Sequence, residues 1–255
     1  MREYIPYSRQ KVTEEDVHEV MEVLKSPFLT TGPKVSTFET TLASKVSSKY
    51  AVATNSATSA LHIACLALGL KKGDWLWTSP ITFVASANCG LYCGASIDFV
   101  DINISTGLID IKKLERKLRI ANKLGKLPKI LIPVHLSGAS CEMEKIKSLS
   151  NQYGFLIIED ASHALGGTYK DQPVGSCQYS DITVFSFHPV KIITTAEGGM
   201  ATTNNSALAC KMSELRSHGI TKDPKRFLID NPPPWLYEQQ SLGYNYRMND
   251  IQAAL

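Results

Sequence analysis

Short apolar runs alternate with amphipathic stretches along most of the chain. The apolar runs predict buried strands at residues 50–54, 75–79, 97–100, 130–134, 155–159 and 182–187. Apolar residues at helical spacing predict helices at 13–25, from 36 onward, at 60–68 and at 143–153. Since fully apolar strands that alternate with helices are typical of parallel sheets, we predict an α/β fold. Its sheet is mixed but mostly parallel and is covered by helices on both faces.

The helix boundaries are predicted from capping residues. Thr13 is expected to cap the first helix, and Pro27 is expected to stop it. Ser36 and Glu39 have the spacing of a capping box for the second helix, and Gly154 is expected to end the helix that precedes the 155–159 strand.

The sequence predicts a very short helix at the C-terminal residues. Residues 249–252 resemble a capping box, and residues 253–255 continue it for less than a turn. Because so short a helix is not stable alone, we expect the chain to be truncated at its C-terminus; a frayed native terminus is the alternative.

Composition excludes several classes of protein. The 255 residues carry a formal net charge of only +3, with no contiguous block of like charges, so neither a nucleic-acid nor a membrane partner is predicted. No apolar run opens the chain. The six cysteines form no C-x-x-C pair, and their closest spacing is Cys89 to Cys93. We therefore predict no metal site and reduced thiols in the cytoplasm.

Polar residues follow several of the predicted strands. The carboxyl ends of parallel strands meet at one edge of a sheet, where ligands of such folds bind. After the 50–54 strand, residues 56–59 present hydroxyls and free backbone N–H groups at a helix N-terminus, which suits a phosphate. Ordinary N-capping by Ser56 is the alternative interpretation.

Two further strand ends carry an acid and an aromatic ring. Asp160 follows a fully apolar strand, and a buried carboxylate needs a partner, for which a protonated pyridine nitrogen is one candidate. A helix cap is the alternative role of Asp160, and a hydrogen-bonded core position is that of His163. Phe83 follows the 75–79 strand, where its ring could stack on a flat cofactor or pack in the core.

One lysine lies just beyond the 182–187 strand. Lys191 is flanked by valine and isoleucine and precedes the glycine pair 198–199, where the chain could turn tightly. Desolvation would lower its pKa and give the neutral amine that forms a Schiff base; the alternative is a surface turn with the ammonium in water. Together with the phosphate turn, Asp160, Phe83 and Ser186, this lysine matches the needs of pyridoxal phosphate.

The chain also resembles a known family in its motifs. It is similar to the nucleotide-sugar aminotransferases of the DegT/DnrJ/EryC1/StrS family at residues 29–33, 55–62, 159–164, 186–191, 196–199, 216–219 and 243–248. The order and spacing of these segments match over nearly the whole chain.

The resemblance implies a role for each matching residue. It implies Lys191 as the Schiff-base lysine, Asp160 as the partner of the pyridine nitrogen, and His163 beside the ring hydroxyl. It further implies Phe83 stacked on the ring. The implied phosphate site consists of Ala57, Thr58, Ser186 and, from a second subunit, Asn245. The implied sugar pocket consists of Tyr7, Pro27, Phe28, Leu29, Thr30 and Ser56.

The resemblance also implies a fold and a reaction. The expected fold is the pyridoxal phosphate-dependent transferase fold type I. Residues 1–255 would form the cofactor-binding large domain, including an N-terminal helical segment at 1–49, with the smaller C-terminal domain absent. A homodimer would move an amino group from glutamate to C4 of a UDP-4-keto-6-deoxy-N-acetylhexosamine, in pseudaminic acid biosynthesis.

Other functions stay open at this point. The amino acceptor could be another UDP-4-keto-sugar or a dTDP-3-keto-sugar, and a truncated chain could be silent, binding pyridoxal phosphate at most. Lys191 excludes the dehydratase branch of the family, which has histidine at that position. A generic nucleotide-binding module is disfavoured because no G-x-G-x-x-G follows a strand.

Overall fold

The structure is a computed structural model that describes residues 5–229 and 231–255. The strands of this part of the chain are β1 (Tyr50–Thr54), β2 (Trp75–Thr78), β3 (Ser96–Phe99), β4 (Ile130–Ile132), β5 (Leu156–Asp160), β6 (Thr168–Tyr169), β7 (Gln172–Pro173), β8 (Ile182–Ser186), β9 (Gly199–Thr203), β10 (Ile220–Thr221) and β11 (Glu238–Gln239). The helices are α1 (Glu14–Lys25), α2 (Pro33–Lys45), α3 (Ala57–Ala67), α4 (Ala85–Tyr92), α5 (Ile111–Leu124), α6 (Met143–Tyr153), α7 (Ser206–Leu215) and α8 (Asp250–Ala254). Short 3₁₀ turns occur at Leu136–Gly138 and Pro224–Arg226.

A seven-stranded sheet in the order β1-β9-β8-β5-β4-β2-β3 forms the centre of the fold. β8, β5, β4, β2 and β3 pair in parallel, whereas β9 is antiparallel to both of its neighbours. The predicted mixed, mostly parallel sheet is therefore confirmed, and every predicted strand is present within about two residues of its expected ends. Because β1 runs in the same direction as the parallel strands, their carboxyl ends share one edge.

Helices cover both faces of the sheet, as predicted. Leu76 and Ile130 pack on one face with residues of α3, α4 and α7, whereas Trp77 and Leu131 pack on the other face with residues of α5 and α6. Neighbouring strand residues thus enter opposite cores, as the two-residue period of a strand requires. A third cluster, around Phe187, packs against α2.

Several predicted helix boundaries are confirmed. Thr13 caps α1 in a capping box with Asp16, and the helix ends at Lys25, before Pro27. Gly154 ends α6 in the left-handed conformation, with φ at 79°. Asn249 caps α8 in the predicted capping box. No helix of residues 5–229 and 231–255 is long and apolar enough to span a bilayer.

The predicted capping box at Ser36 and Glu39 is wrong. Pro33 starts α2 three residues earlier, with Gly32 as its N-cap, because proline is well suited to the first turn of a helix. Glu39 instead accepts the Ala53 N–H at 2.8 Å and pairs with Arg216. Arg216 also donates to the Ala53 carbonyl at 2.6 Å, so the two side chains cover the open edge of β1.

The segment at 223–240 contains regular structure. Pro224–Arg226 forms a 3₁₀ turn, and β11 pairs in antiparallel fashion with β10. Residue 230 of this segment lies outside the described residues.

Candidate active site

The carboxyl edge of the sheet opens into a cavity of about 470 Å³, which we call the active-site cavity. Its lining includes residues after β1, β2, β4, β5 and β8. The predicted site residues that line it are Ser56, Ala57, Thr58, Phe83, Asp160, His163, Ser186 and Lys191. The fold therefore brings the predicted phosphate turn, acid, aromatic ring and amine to one place.

The turn between β1 and α3 offers an anion site. The Ser56 side chain accepts the Ser59 N–H at 3.2 Å, so this serine is an N-cap. The Ala57 and Thr58 N–H groups lie in the first helical turn, where no intrahelical acceptor exists, and the positive end of the helix dipole adds to their attraction. The N-cap interpretation of Ser56 is therefore confirmed, the phosphate site stays a prediction, and Ser186 lines the same cavity as this turn.

The glycine pair acts through close packing and not through a tight turn. A Cβ atom on Gly199 would lie 2.4 Å from the Ala57 nitrogen, and one on Gly198 would lie 2.1 Å from Thr195 Oγ1. Neither glycine has a positive φ, whereas Ala196 does, at 60°. The phosphate turn can therefore pack directly against β9 only because residue 199 has no side chain.

Asp160 ends β5 and is buried, with 5% of its surface exposed. Its Oδ2 accepts the Ser86 hydroxyl at 2.7 Å, and its Oδ1 accepts the Ser162 hydroxyl at 2.6 Å and the Ser162 N–H at 3.2 Å. Each oxygen of the carboxylate therefore has a fixed donor, which compensates for its burial in the ionised form.

Lys191 lies on a loop that is held by its own backbone. Its N–H donates to the His188 carbonyl at 2.8 Å, and the Thr195 N–H donates to the Phe187 carbonyl at 3.0 Å. Burial lowers the pKa of Lys191, and the charge of Asp160 opposes that change. Of the predicted apolar flank, Ile192 and Ile193 are exposed, and only Val190 lines the cavity beside Lys191.

His163 follows Asp160 and lines the same cavity. Burial lowers the pKa of its imidazole, the charge of Lys191 lowers it further, and Asp160 acts in the opposite direction. Its Nδ1 lies 3.2 Å from the Ser137 N–H and accepts that hydrogen bond. The proton of the neutral ring is therefore on Nε2, which is available as a donor.

The other predicted residues lie outside this cavity. Tyr7, which is 88% exposed, and the exposed residues Pro27, Phe28 and Leu29 do not line it. Thr30 lines a separate pocket of about 220 Å³ with Arg216 and Arg247, which we call the arginine pocket. Asn245 is exposed and bridges to Ser217, away from its own chain's active-site cavity.

Several residues of the site were not predicted. Thr82 and Ser162 line the cavity, and Ser86 lies behind them. His135 also lines it; its Nε2 lies 2.7 Å from Glu159, and its Nδ1 accepts the Cys141 N–H at 3.2 Å. Ser162 could have been found from its position two residues after the acid. Ser86 could not, since 74 residues separate it from Asp160.

Comparison with known proteins assigns the family. Residues 10–255 match the DegT/DnrJ/EryC1/StrS aminotransferase family. The chain belongs to this family. The resemblance and the α/β transferase fold predicted from the motifs are both confirmed.

Two curated relatives are named for sugar metabolism. A Campylobacter jejuni protein named UDP-4-amino-4,6-dideoxy-N-acetyl-beta-L-altrosamine transaminase is 44% identical over 252 residues, which are 98% of this chain and 62% of that protein. The Bacillus subtilis spore coat polysaccharide biosynthesis protein SpsC is 41% identical over 252 residues, which are 99% of this chain and 62% of that protein.

Solved structures of this family share the fold. Helicobacter pylori PseC, an aminotransferase involved in pseudaminic acid biosynthesis, superposes with a TM-score of 0.88 at 36% identity, covering 99% of this chain and 64% of that one. The PLP form of the sugar aminotransferase Spr1654 from Streptococcus pneumoniae has a TM-score of 0.83 at 31% identity, covering 99% of this chain and 65% of that one. The chain therefore spans less than two thirds of the length of these relatives.

Proposed function

We propose that this chain is the cofactor-binding part of a pyridoxal phosphate-dependent nucleotide-sugar aminotransferase. The observation that supports this most strongly is the meeting of Lys191, Asp160 and the Ser56–Thr58 turn in one cavity. Pyridoxal phosphate needs these groups, and when bound it supplies an electron sink for chemistry at the carbon attached to an amine. PLP and PMP forms of relatives have been solved.

The residues of the cavity fit that cofactor. The Ala57 and Thr58 N–H groups and the Ser186 hydroxyl would hold its phosphate, and Phe83, 73% exposed beside the cavity, would cover its ring. Asp160 would hold a proton on the ring nitrogen, because its carboxylate is kept in place by the Ser86 and Ser162 hydroxyls. His163 would donate its Nε2 proton to the ring hydroxyl.

Lys191 would bind the cofactor and then move protons. A lowered pKa increases the neutral fraction of its amine, which is the form that attacks an aldehyde. Its Nζ would also accept the proton from the α-carbon of the amino donor and donate it again as the conjugate acid. One residue thus acts in turn as ligand, base and acid.

We infer the substrates from the relatives. The Campylobacter jejuni and Helicobacter pylori proteins support a UDP-4-keto-6-deoxy-N-acetylhexosamine as the amino acceptor, aminated at C4, and family resemblance supports glutamate as the donor. SpsC, nearly as similar, keeps a different sugar open as a second candidate.

Product analysis distinguishes these sugars. The protein is incubated with pyridoxal phosphate, glutamate and either the UDP-4-keto-sugar or a dTDP-3-keto-sugar, and the products are examined by NMR. We expect an amine at C4 of the UDP sugar and less than about one tenth of that rate with the dTDP sugar, since one mismatched contact changes rates by about tenfold or more. A faster reaction with the dTDP sugar would overturn the substrate assignment while leaving the aminotransferase assignment intact.

We further propose that the working form is a homodimer in which Asn245 completes the phosphate site of the other subunit. Asn245 is exposed and away from its own cavity, and Thr30 lies with Arg247 in the arginine pocket. A second copy that placed these residues over the open cavity would supply the sugar and phosphate contacts that one chain lacks. Exposed apolar side chains beside the cavity, such as Phe83 and Val84, would be covered in the same step.

Mixed dimers test the contact between subunits. A dimer of Lys191→Ala and Asn245→Ala subunits keeps one intact site if Asn245 acts across the interface. At a pyridoxal phosphate concentration too low to load the Asn245→Ala homodimer, mixing the two variants at equal amounts should therefore restore about a quarter of the parent activity, because about half of the dimers of a two-fold assembly are mixed and each has one working site. If mass spectrometry verified that the subunits had exchanged and no activity was recovered, Asn245 would not act in the site of the partner subunit.

A further inference from the structure

Ser86 is a buried residue that contacts Asp160 of the active-site cavity, and no sequence motif predicted it. It lies on α4, is 0% exposed, and its Oγ is 2.7 Å from Asp160 Oδ2. Its hydroxyl has one proton and two acceptors within reach, Asp160 Oδ2 at 2.7 Å and the Phe83 carbonyl at 3.3 Å. Because the carboxylate is the closer acceptor and charged acceptors form the stronger bonds, the proton points to Asp160.

Thr82 completes a chain of hydroxyls. Its Oγ1 is 2.7 Å from Ser86 Oγ, and because the Ser86 proton is already directed to Asp160, Thr82 is the donor of this bond. Thr82 itself lines the active-site cavity next to Phe83. The order of donation is therefore Thr82 to Ser86 to Asp160, and each bond polarises the next.

The other oxygen of the carboxylate is held independently. Ser162 donates both its hydroxyl and its N–H to Oδ1. With one donor fixed on each oxygen, the plane of the carboxylate cannot turn about its χ2 bond without losing a hydrogen bond. A residue that only filled space at position 86 would leave Oδ2 without this donor, and the orientation of the carboxylate would depend on the Ser162 hydrogen bonds to Oδ1.

We propose that Ser86 is a positioning residue for the cofactor: its hydroxyl, oriented by Thr82, fixes the Asp160 carboxylate in the plane that accepts the N–H of a bound pyridinium ring. This inference rests on the proposed function. It makes Ser86 part of cofactor recognition even though it does not touch the cofactor.

The test compares pyridoxal phosphate with 1-deazapyridoxal phosphate, in which a C–H replaces the ring nitrogen. Because both compounds carry the same substituents, the change in the ratio of their dissociation constants between parent and variant reports on the contact of Asp160 with the ring nitrogen. The parent should prefer pyridoxal phosphate. Ser86→Ala should reduce that preference by about fivefold, the factor that corresponds to one net hydrogen bond of ~1 kcal/mol.

Two further variants accompany Ser86→Ala, one as a control and one as a second test of the hydroxyl chain. Ser150→Ala removes a buried helical serine of α6 that donates to the Phe155 carbonyl, so it should leave the preference unchanged. Thr82→Val keeps the shape of a half-buried side chain and should reduce the preference in the same direction by a smaller factor.

The outcomes separate the two proposals. A Ser86→Ala protein that binds both compounds and keeps the parent preference within about twofold would overturn the positioning role, as would an equal loss for both compounds. A parent that binds neither compound would overturn the proposed function, and the role of Ser86 with it.

Discussion

Replacing Lys191 with alanine is expected to abolish transamination and the visible absorbance of the lysine-bound cofactor. Under the proposed function, the variant loses both the amine that would bond the cofactor and the base that would move the substrate proton. General acid–base catalysis alone contributes about 10²–10⁴-fold, so we expect a loss of turnover of about 10⁴-fold or more. Turnover is measured with glutamate and the UDP-4-keto-sugar, and absorbance is measured after addition of pyridoxal phosphate.

An exposed lysine provides the matched control. Lys145 of α6 is 61% exposed in its side chain and pairs with Glu142, so Lys145→Ala should keep both absorbance and turnover. If Lys191→Ala retained more than a few per cent of parent turnover with the band intact, another lysine would be the cofactor ligand.

Replacing Asp160 with asparagine is the second large effect. Asparagine keeps the size of the side chain but removes the charge that, in the proposed function, would hold a proton on the ring nitrogen. Loss of one preorganised electrostatic contact typically lowers turnover by about 10²–10³-fold, and we expect a loss of that size together with weaker cofactor binding.

The direction of the Lys191 pKa shift shows that Asp160→Asn would not act by protonating the Lys191 amine. In the parent, the charge of Asp160 raises the pKa of Lys191 against the effect of burial. Its removal therefore lowers that pKa further, so more of the amine is neutral at pH 7, and lost turnover cannot result from a protonated lysine. Asp98→Asn, at a partly exposed carboxylate that pairs with Lys117, is the control and should have little effect. If the Asp160→Asn variant kept the turnover of the parent, the proposed role of Asp160 at the ring nitrogen would be wrong.

The sequence was sufficient to predict the parts of the fold in which local patterns decide. The strands before Asp160 and Lys191 are short apolar runs, and their carboxyl ends meet because parallel strands share a direction. β9 was not predicted, since Gly199–Thr203 has little apolar character. Its threonines are nevertheless buried because they bond carbonyl groups: Thr202 donates to Gly175 and Thr203 to Asp181, at 2.9 and 2.8 Å.

Contacts between residues distant in sequence decided the remaining features. Glu39 has the spacing of a capping residue, but Arg216, 177 residues away, pairs with it at the edge of β1. Ser86 is an ordinary serine of α4 until β5 places Asp160 beside it. The predicted residues that lie outside the cavity, Asn245 above all, are those whose proposed role depends on a second subunit.

Borohydride reduction of the protein loaded with pyridoxal phosphate tests the central claim most directly. The reagent fixes the cofactor irreversibly to the nitrogen that holds it, and peptide mass spectrometry then identifies the modified residue. We predict a single phosphopyridoxyl group on Lys191. Modification of a different lysine, or uniform low labelling of exposed lysines with none at Lys191, would contradict the account.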